Sequence, residues 1–116
     1  MTFYNSKGKP IAYSDDDENI YLFNGVPVAY LFGCFVYSYS GVQLGWFEKG
    51  WVRDKSGACV FFTENAVGGP VRPVKEIQPV KTVKRIKPAR GVRQVPAVKP
   101  VNSLSWSWLS GEQFFQ

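Results

Sequence analysis

Asp15-Asp16-Asp17-Glu18 is the densest group of potential ligands in the chain. Carboxylate oxygens suit a hard cation such as calcium, but the run lacks the spaced ligands and the glycine of a calcium loop. The better-supported reading is a connector that is solvated or that faces a basic segment. No histidine is present, which removes His-based triads and His-ligated metals. Cys34 and Cys59 are too few for a zinc site or a disulfide framework, and free buried thiols are expected. No Gly-rich phosphate loop opens a helix-like segment. The expectation is a protein that is not an enzyme and has no metal or cofactor.

Charge and aromatic rings are the other chemistry available. Residues 1–70 hold five basic and seven acidic residues, a net −2, whereas residues 71–116 hold nine basic against two acidic, a net +7. Such asymmetry marks a basic segment attached to an ordinary domain and makes an anionic partner one reading. Tyr13, Tyr30, Trp46 and Phe62 form a column that suits either core packing or stacking on a sugar or a quaternary ammonium group. The run Gly45-Trp46-Phe47-Glu48-Lys49-Gly50-Trp51 loosely resembles choline-binding cell-wall repeats, but Gly-Trp occurs once here. Core packing is preferred.

What must position these groups is a repeat. Aligned on Gly8, Gly25, Gly41 and Gly57, four segments agree at several places. Five residues before each glycine stands Phe3, Ile20, Val36 or Val52, and three after it stands Ile11, Val28, Leu44 or Val60. A polar residue (Lys7, Asn24, Ser40 or Ser56) precedes each glycine, and the aromatic column lies five residues beyond it. A polar residue followed by glycine between alternating apolar and β-branched runs predicts a β-hairpin with a tight two-residue turn. One hairpin alone is marginal in water, so four copies are expected to pool their apolar faces into one all-β core.

The runs YLFNGVPVAYLF and YSYSGVQLGWFEKGWV resemble the bacterial 4-fold β-flower family over about residues 3–65. The resemblance implies four pseudo-symmetric hairpins around a common axis, and no activity. The fourth copy departs from the pattern, with Arg53 in place of Tyr and Phe61 in place of Ala or Gly.

From residue 70 the chain reads in triplets. The middle place is Val71, Val74, Ile77, Val80, Val83, Ile86, Ala89, Val92, Val95, Val98 or Val101. The third place is basic at Arg72, Lys75, Lys81, Lys84, Lys87, Arg90, Arg93 and Lys99. A period of three with frequent proline predicts a polyproline-II-like arm, with an apolar docking column beside a basic stripe; straight, it would reach about 100 Å. Beyond it, Leu104, Trp106, Trp108, Phe114 and Phe115 predict an aromatic tip that anchors by docking, in cis or in trans. Ser110 and Gln113 have the spacing of a capping box.

The expected organisation is a four-hairpin domain over 1–66, an arm over 67–101 and a docking tip over 102–116. The leading functional expectation is a structural or protein-interaction module that links to another subunit, as a homo-oligomer or larger assembly. Nucleic acid binding by the arm and glycan or choline-like binding by the rings are the alternatives. No signal-like start and no membrane-length apolar run is present, so a soluble, cytoplasmic protein is expected, with a virus particle as the other possibility.

Overall fold

A computed structural model describes residues 1–109 and 111–116; the capping-box expectation at Ser110 lies outside the described residues. Eight antiparallel strands close into one barrel in chain order. They are β1 (Thr2–Tyr4), β2 (Pro10–Tyr13), β3 (Asn19–Leu22), β4 (Pro27–Phe32), β5 (Phe35–Tyr37), β6 (Gln43–Glu48), β7 (Trp51–Arg53) and β8 (Cys59–Phe62). Closure is made by Tyr4 on β1 pairing with Phe62 on β8, which leaves no free edge. No helix among the described residues is long and apolar enough to cross a membrane.

Side-chain alternation assigns the two faces of the wall. Within the hairpins Phe3 pairs with Ala12, Ile20 with Ala29, Val36 with Gly45, and Val52 with Phe61. These residues point into the barrel, and Phe3, Ala12, Ala29, Val36 and Phe61 are completely buried. An eight-stranded barrel has an interior just wide enough for side chains to fill. Three copies supply a small residue at the second position, and the fourth supplies Phe61, which occupies the space the others leave. Phe61 is thus the residue that lets the repeat close on a packed centre. Between hairpins the outer face pairs Tyr13 with Tyr21, Tyr30 with Tyr37, Trp46 with Arg53, and Phe62 with Tyr4.

The two-residue expectation for the hairpin turns is corrected. In the first hairpin the Gly8 N–H donates to Asn5 O (3.0 Å) and the Asn5 N–H donates to Lys9 O (2.9 Å), so the loop has three residues. The same pair of bonds recurs at Leu22/Gly25/Val26, Ser38/Gly41/Val42 and Asp54/Gly57/Ala58. Glycine takes the last loop position with φ between +80° and +98°, the three-residue hairpin in which a left-handed residue forms a bulge. Asn24 stays outside the left-handed region and instead accepts the Val26 N–H through Oδ1. Two-residue turns occur instead between hairpins: at Gly33-Cys34, between paired Phe32 and Phe35, and at Lys49-Gly50, where both φ angles are positive. Cys34 is therefore exposed rather than buried, and Cys59 is buried. Burial pushes the Cys59 thiol up, away from the reactive thiolate.

Candidate interaction surface

Residues 71–100 have no helix or strand. The protein measures 36 × 35 × 21 Å, so an arm that would reach about 100 Å if straight has to wrap. It does so on main-chain hydrogen bonds to the hairpin loops. The N–H groups of Glu76, Arg85, Gln94 and Ser103 donate to the carbonyls of Gly8, Gly25, Gly41 and Gly57 at 2.9, 2.9, 2.8 and 3.1 Å. Each donor is nine residues, or three triplets, beyond the last. Between them, the Thr82 and Gly91 N–H groups donate to Phe23 O and Tyr39 O. The equivalent places at the two outer hairpins are Pro73 and Pro100, which have no N–H to give. The arm thus advances one hairpin every nine residues.

This docking explains the glycines better than turn geometry does. A Cβ on Gly8, Gly25 or Gly41 would lie 2.0, 2.2 or 2.0 Å from the carbonyl oxygen of Val74, Val83 or Val92. Only glycine lets the two backbones approach this closely.

The basic stripe, not the apolar column, faces the head. Lys75 lies over the Tyr4 ring at 5.8 Å, Lys81 over Tyr13 at 4.5 Å, Lys84 over Tyr21 at 5.2 Å, and Arg90 over Tyr30 at 3.9 Å. Arg93 lies 3.8 Å above Phe32. Acidic partners sit beside the rings: Lys81 and Lys84 reach Asp15 at 3.2 and 2.8 Å, Arg90 reaches Glu18 at 2.5 Å, and Lys99 reaches Glu48 at 2.6 Å. The carboxylate run is thus the electrostatic contact for the arm. Asp16 serves the connector itself, accepting the Glu18 and Asn19 N–H groups. The remaining members of the stripe differ: Arg72 donates to Ala66 O, and Lys87 has no ion pair or ring contact among the described residues.

The expected docking column is the opposite of docked on its own head. Val71, Val74, Ile77, Val80, Val83, Ile86, Val92, Val95, Val98 and Val101 are all 87–95% exposed. Within each triplet the basic residue faces the head and the first residue's backbone bonds the loops, and the middle residue points to water.

At the fourth hairpin the departure from Tyr has a use. The Arg53 Nη1 donates to Ser103 O at 2.6 Å and to Gly57 O at 2.7 Å. One hairpin earlier the Tyr37 hydroxyl donates to Gln94 O at 3.0 Å, and residues 94 and 103 are equivalent in the nine-residue step. Arg53 therefore holds the arm where the third copy uses the Tyr37 phenol.

The tip divides. Trp106 packs edge-on against Trp51 and Phe62, with ring centroids 5.5 and 6.1 Å apart. Main-chain bonds from Cys59 N–H to Ser105 O and from Ser107 N–H to Cys59 O extend this contact. Phe114 is buried against Phe61, and Phe115 stacks on Phe61 at 5.5 Å, so the final 3₁₀ turn (Glu112–Phe115) plugs the loop end of the barrel. Leu104 and Trp108 are exposed. Trp106, Phe114 and Phe115 thus pack on their own head, while Leu104 and Trp108 are left exposed.

The aromatic column Tyr13, Tyr30, Trp46 and Phe62 is buried, each residue at most 2% exposed. Sequence reasoning missed the nine-residue step. Its signal is the recurrence of Val-Lys/Arg-x-Ile/Val at residues 74–77, 83–86 and 92–95, which the stronger three-residue period conceals.

Acid is expected to loosen the arm. The hydrogen bond from Lys84 holds Asp15 below the usual carboxylate range, and the bond from Lys99 does the same for Glu48. Because the folded values are the lower ones, the stability these groups contribute is complete only above the unfolded values, from about pH 5 upward, and is lost as pH falls through the lowered values. Urea midpoints measured from pH 6 to pH 2 should fall steeply below about pH 4. The double variant Asp15→Asn/Glu48→Gln should start lower and show a flatter acid limb.

A family description, 4-fold beta flower protein, matches residues 1–115. The match takes in the arm and the tip as well as the hairpins. No curated protein and no solved structure matches the chain.

Proposed function

We propose that this chain, which belongs to the 4-fold beta flower family, is a non-enzymatic interaction module whose arm presents an apolar stripe to another copy of itself. The observation that carries this reading is the outward column of ten Val and Ile side chains, each at least 87% exposed. Soluble monomers rarely expose contiguous apolar patches beyond a few hundred Å². Each such side chain contributes about 1.5–3 kcal/mol when fully buried, so a stripe of them is a strong driving force for assembly. The arm acts as a polyproline-II-like belt. Its charged face and backbone face are used in cis, and its apolar face is left for a neighbour. Leu104 and Trp108, exposed beside the end of the belt, extend the same surface.

Light-scattering mass of the full chain beside Val80→Ser/Val83→Ser/Ile86→Ser tests this. The parent is expected to form a dimer or larger assembly, and the triple variant to remain a monomer with an unchanged circular dichroism spectrum. A parent that stays monomeric at high micromolar concentration would remove self-assembly. Point substitution is the right tool, because cutting the arm away would also uncover the buried rings.

Polyanion binding has the arm's charge in its favour and would show itself as steeply salt-dependent affinity. Against it, the basic stripe largely faces rings and carboxylates of its own head. Glycan or choline-like recognition by the column rings would require the arm to leave them first.

A further inference from the structure

Seven acidic residues belong to the first 70 positions. Five have partners: Asp15, Glu18 and Glu48 take cations of the arm, Asp16 holds Asn19, and Asp54 holds Ser56 and Ser107. Asp17 and Glu64 have no hydrogen bond or ion pair among the described residues. Both line the same cavity, about 400 Å³ in volume.

The topology explains where this cavity is. All four glycine loops lie at one end of the barrel, and the tip plugs that end through Phe114 and Phe115. The connections between hairpins lie at the other end, which is open. Leu31 and Phe47, at the ends of β4 and β6, give the cavity an apolar lining, and Phe47 packs edge-on against the barrel-filling Phe3 with centroids 6.0 Å apart. Met1, Thr2, Thr63 and Asn65 complete its wall; the Met1 ammonium is engaged by Ser14 O at 2.8 Å, and no lysine or arginine side chain lines the cavity. An apolar cup with a few convergent polar groups at a barrel mouth is a common form of small-molecule site, and the volume lies within the usual range.

We propose that this cup binds a small organic cation, an ammonium or guanidinium group carried on a short apolar body. The body would lie against Leu31 and Phe47, whose ring also attracts cations, and the charge would meet Asp17 and Glu64. Asp17 sits at φ +59°, a left-handed geometry that asparagine also tolerates. Asp17→Asn therefore removes the charge without disturbing the backbone.

The test is a titration of the full chain with hexylamine, followed by amide chemical shifts, beside 1-hexanol and hexanoate at the same pH and salt. Hexylamine is expected to give saturable shifts centred on Thr2, Leu31, Phe47 and Thr63, hexanol weaker ones and hexanoate none. In Asp17→Asn/Glu64→Gln the hexylamine Kd should rise about ten-fold, the combined loss of two partly exposed charge contacts, with hexanol binding unchanged. A blocked lysine amide run in parallel separates two sources of the same alkylammonium chemistry, a free amine from a protein side chain; tighter binding of either upholds the cup as a cation site. Equal binding of amine and alcohol, no effect of removing the two charges, or shifts centred on Tyr13 and Tyr30 instead would overturn it. The variant's amide dispersion serves as the fold control, since both substituted side chains are exposed.

Discussion

Gly41→Ala is expected to destabilise the protein by about 3–5 kcal/mol, the sum of left-handed strain and lost arm docking. The strain comes from φ +98°, where a Cβ is disfavoured. The larger part comes from the arm: the new Cβ would lie 2.0 Å from Val92 O and 2.8 Å from its carbonyl carbon. Backbone cannot rotate away as a side chain would. The arm must lift, and the bond from Gln94 N–H to Gly41 O is lost with it. Gly33→Ala provides the control, with φ +62° and no atom within 4 Å of the added Cβ; it should cost only about 1 kcal/mol. Urea denaturation of the two variants beside the parent measures the difference. Hydrogen exchange at Gln94 should accelerate in Gly41→Ala alone. Equal losses in both variants would mean that the arm does not sit on this loop.

Phe61→Ala is the second large effect, with an expected loss of about 3–5 kcal/mol for an aromatic core truncation. Phe61 is fully buried, meets Phe3 edge-on at 6.2 Å, and supports both tip phenylalanines. Its removal leaves a cavity that the stiff barrel wall cannot collapse, and it also loosens the plug. Ala29 occupies the equivalent inward place in the second hairpin, paired with Ile20. The double variant Phe61→Ala/Ala29→Phe should recover part of the loss, because all four inward places share one central space. Recovery will be incomplete, since the ring contacts to Phe114 and Phe115 stay lost. Thermal melts by near-ultraviolet circular dichroism would follow packing directly, and a double variant less stable than Phe61→Ala alone would contradict the shared centre.

Both predictions turn on residues whose type was plain in the sequence and whose role was not. The four hairpins are legible because a turn and its flanking strands are local: a glycine, a polar residue before it, and alternating apolar places suffice. The three-residue loop is not legible locally, since Asn24-Gly25 suits a two-residue turn as well and only the hydrogen bond from Leu22 N–H to Val26 O decides. The runs that carry the family resemblance lie within residues 3–65, where the hairpins repeat every 16 or 17 residues, whereas the arm advances in steps of nine. Two repeats of different length can share four docking points only when one is wrapped around the other in space.

The sequence by itself determined an all-β repeat, a basic segment with a period of three, and the absence of histidine chemistry. These follow from side-chain type and spacing along the chain. The tertiary structure decided that the basic stripe faces inward and the Val/Ile column outward, that Phe61 fills the barrel, and that Asp17 and Glu64 share one cup. A three-residue period fixes the angle between two stripes, not which of them meets a neighbour. That choice depends on aromatic rings and carboxylates up to 72 residues away in the chain, and only folding brings them together.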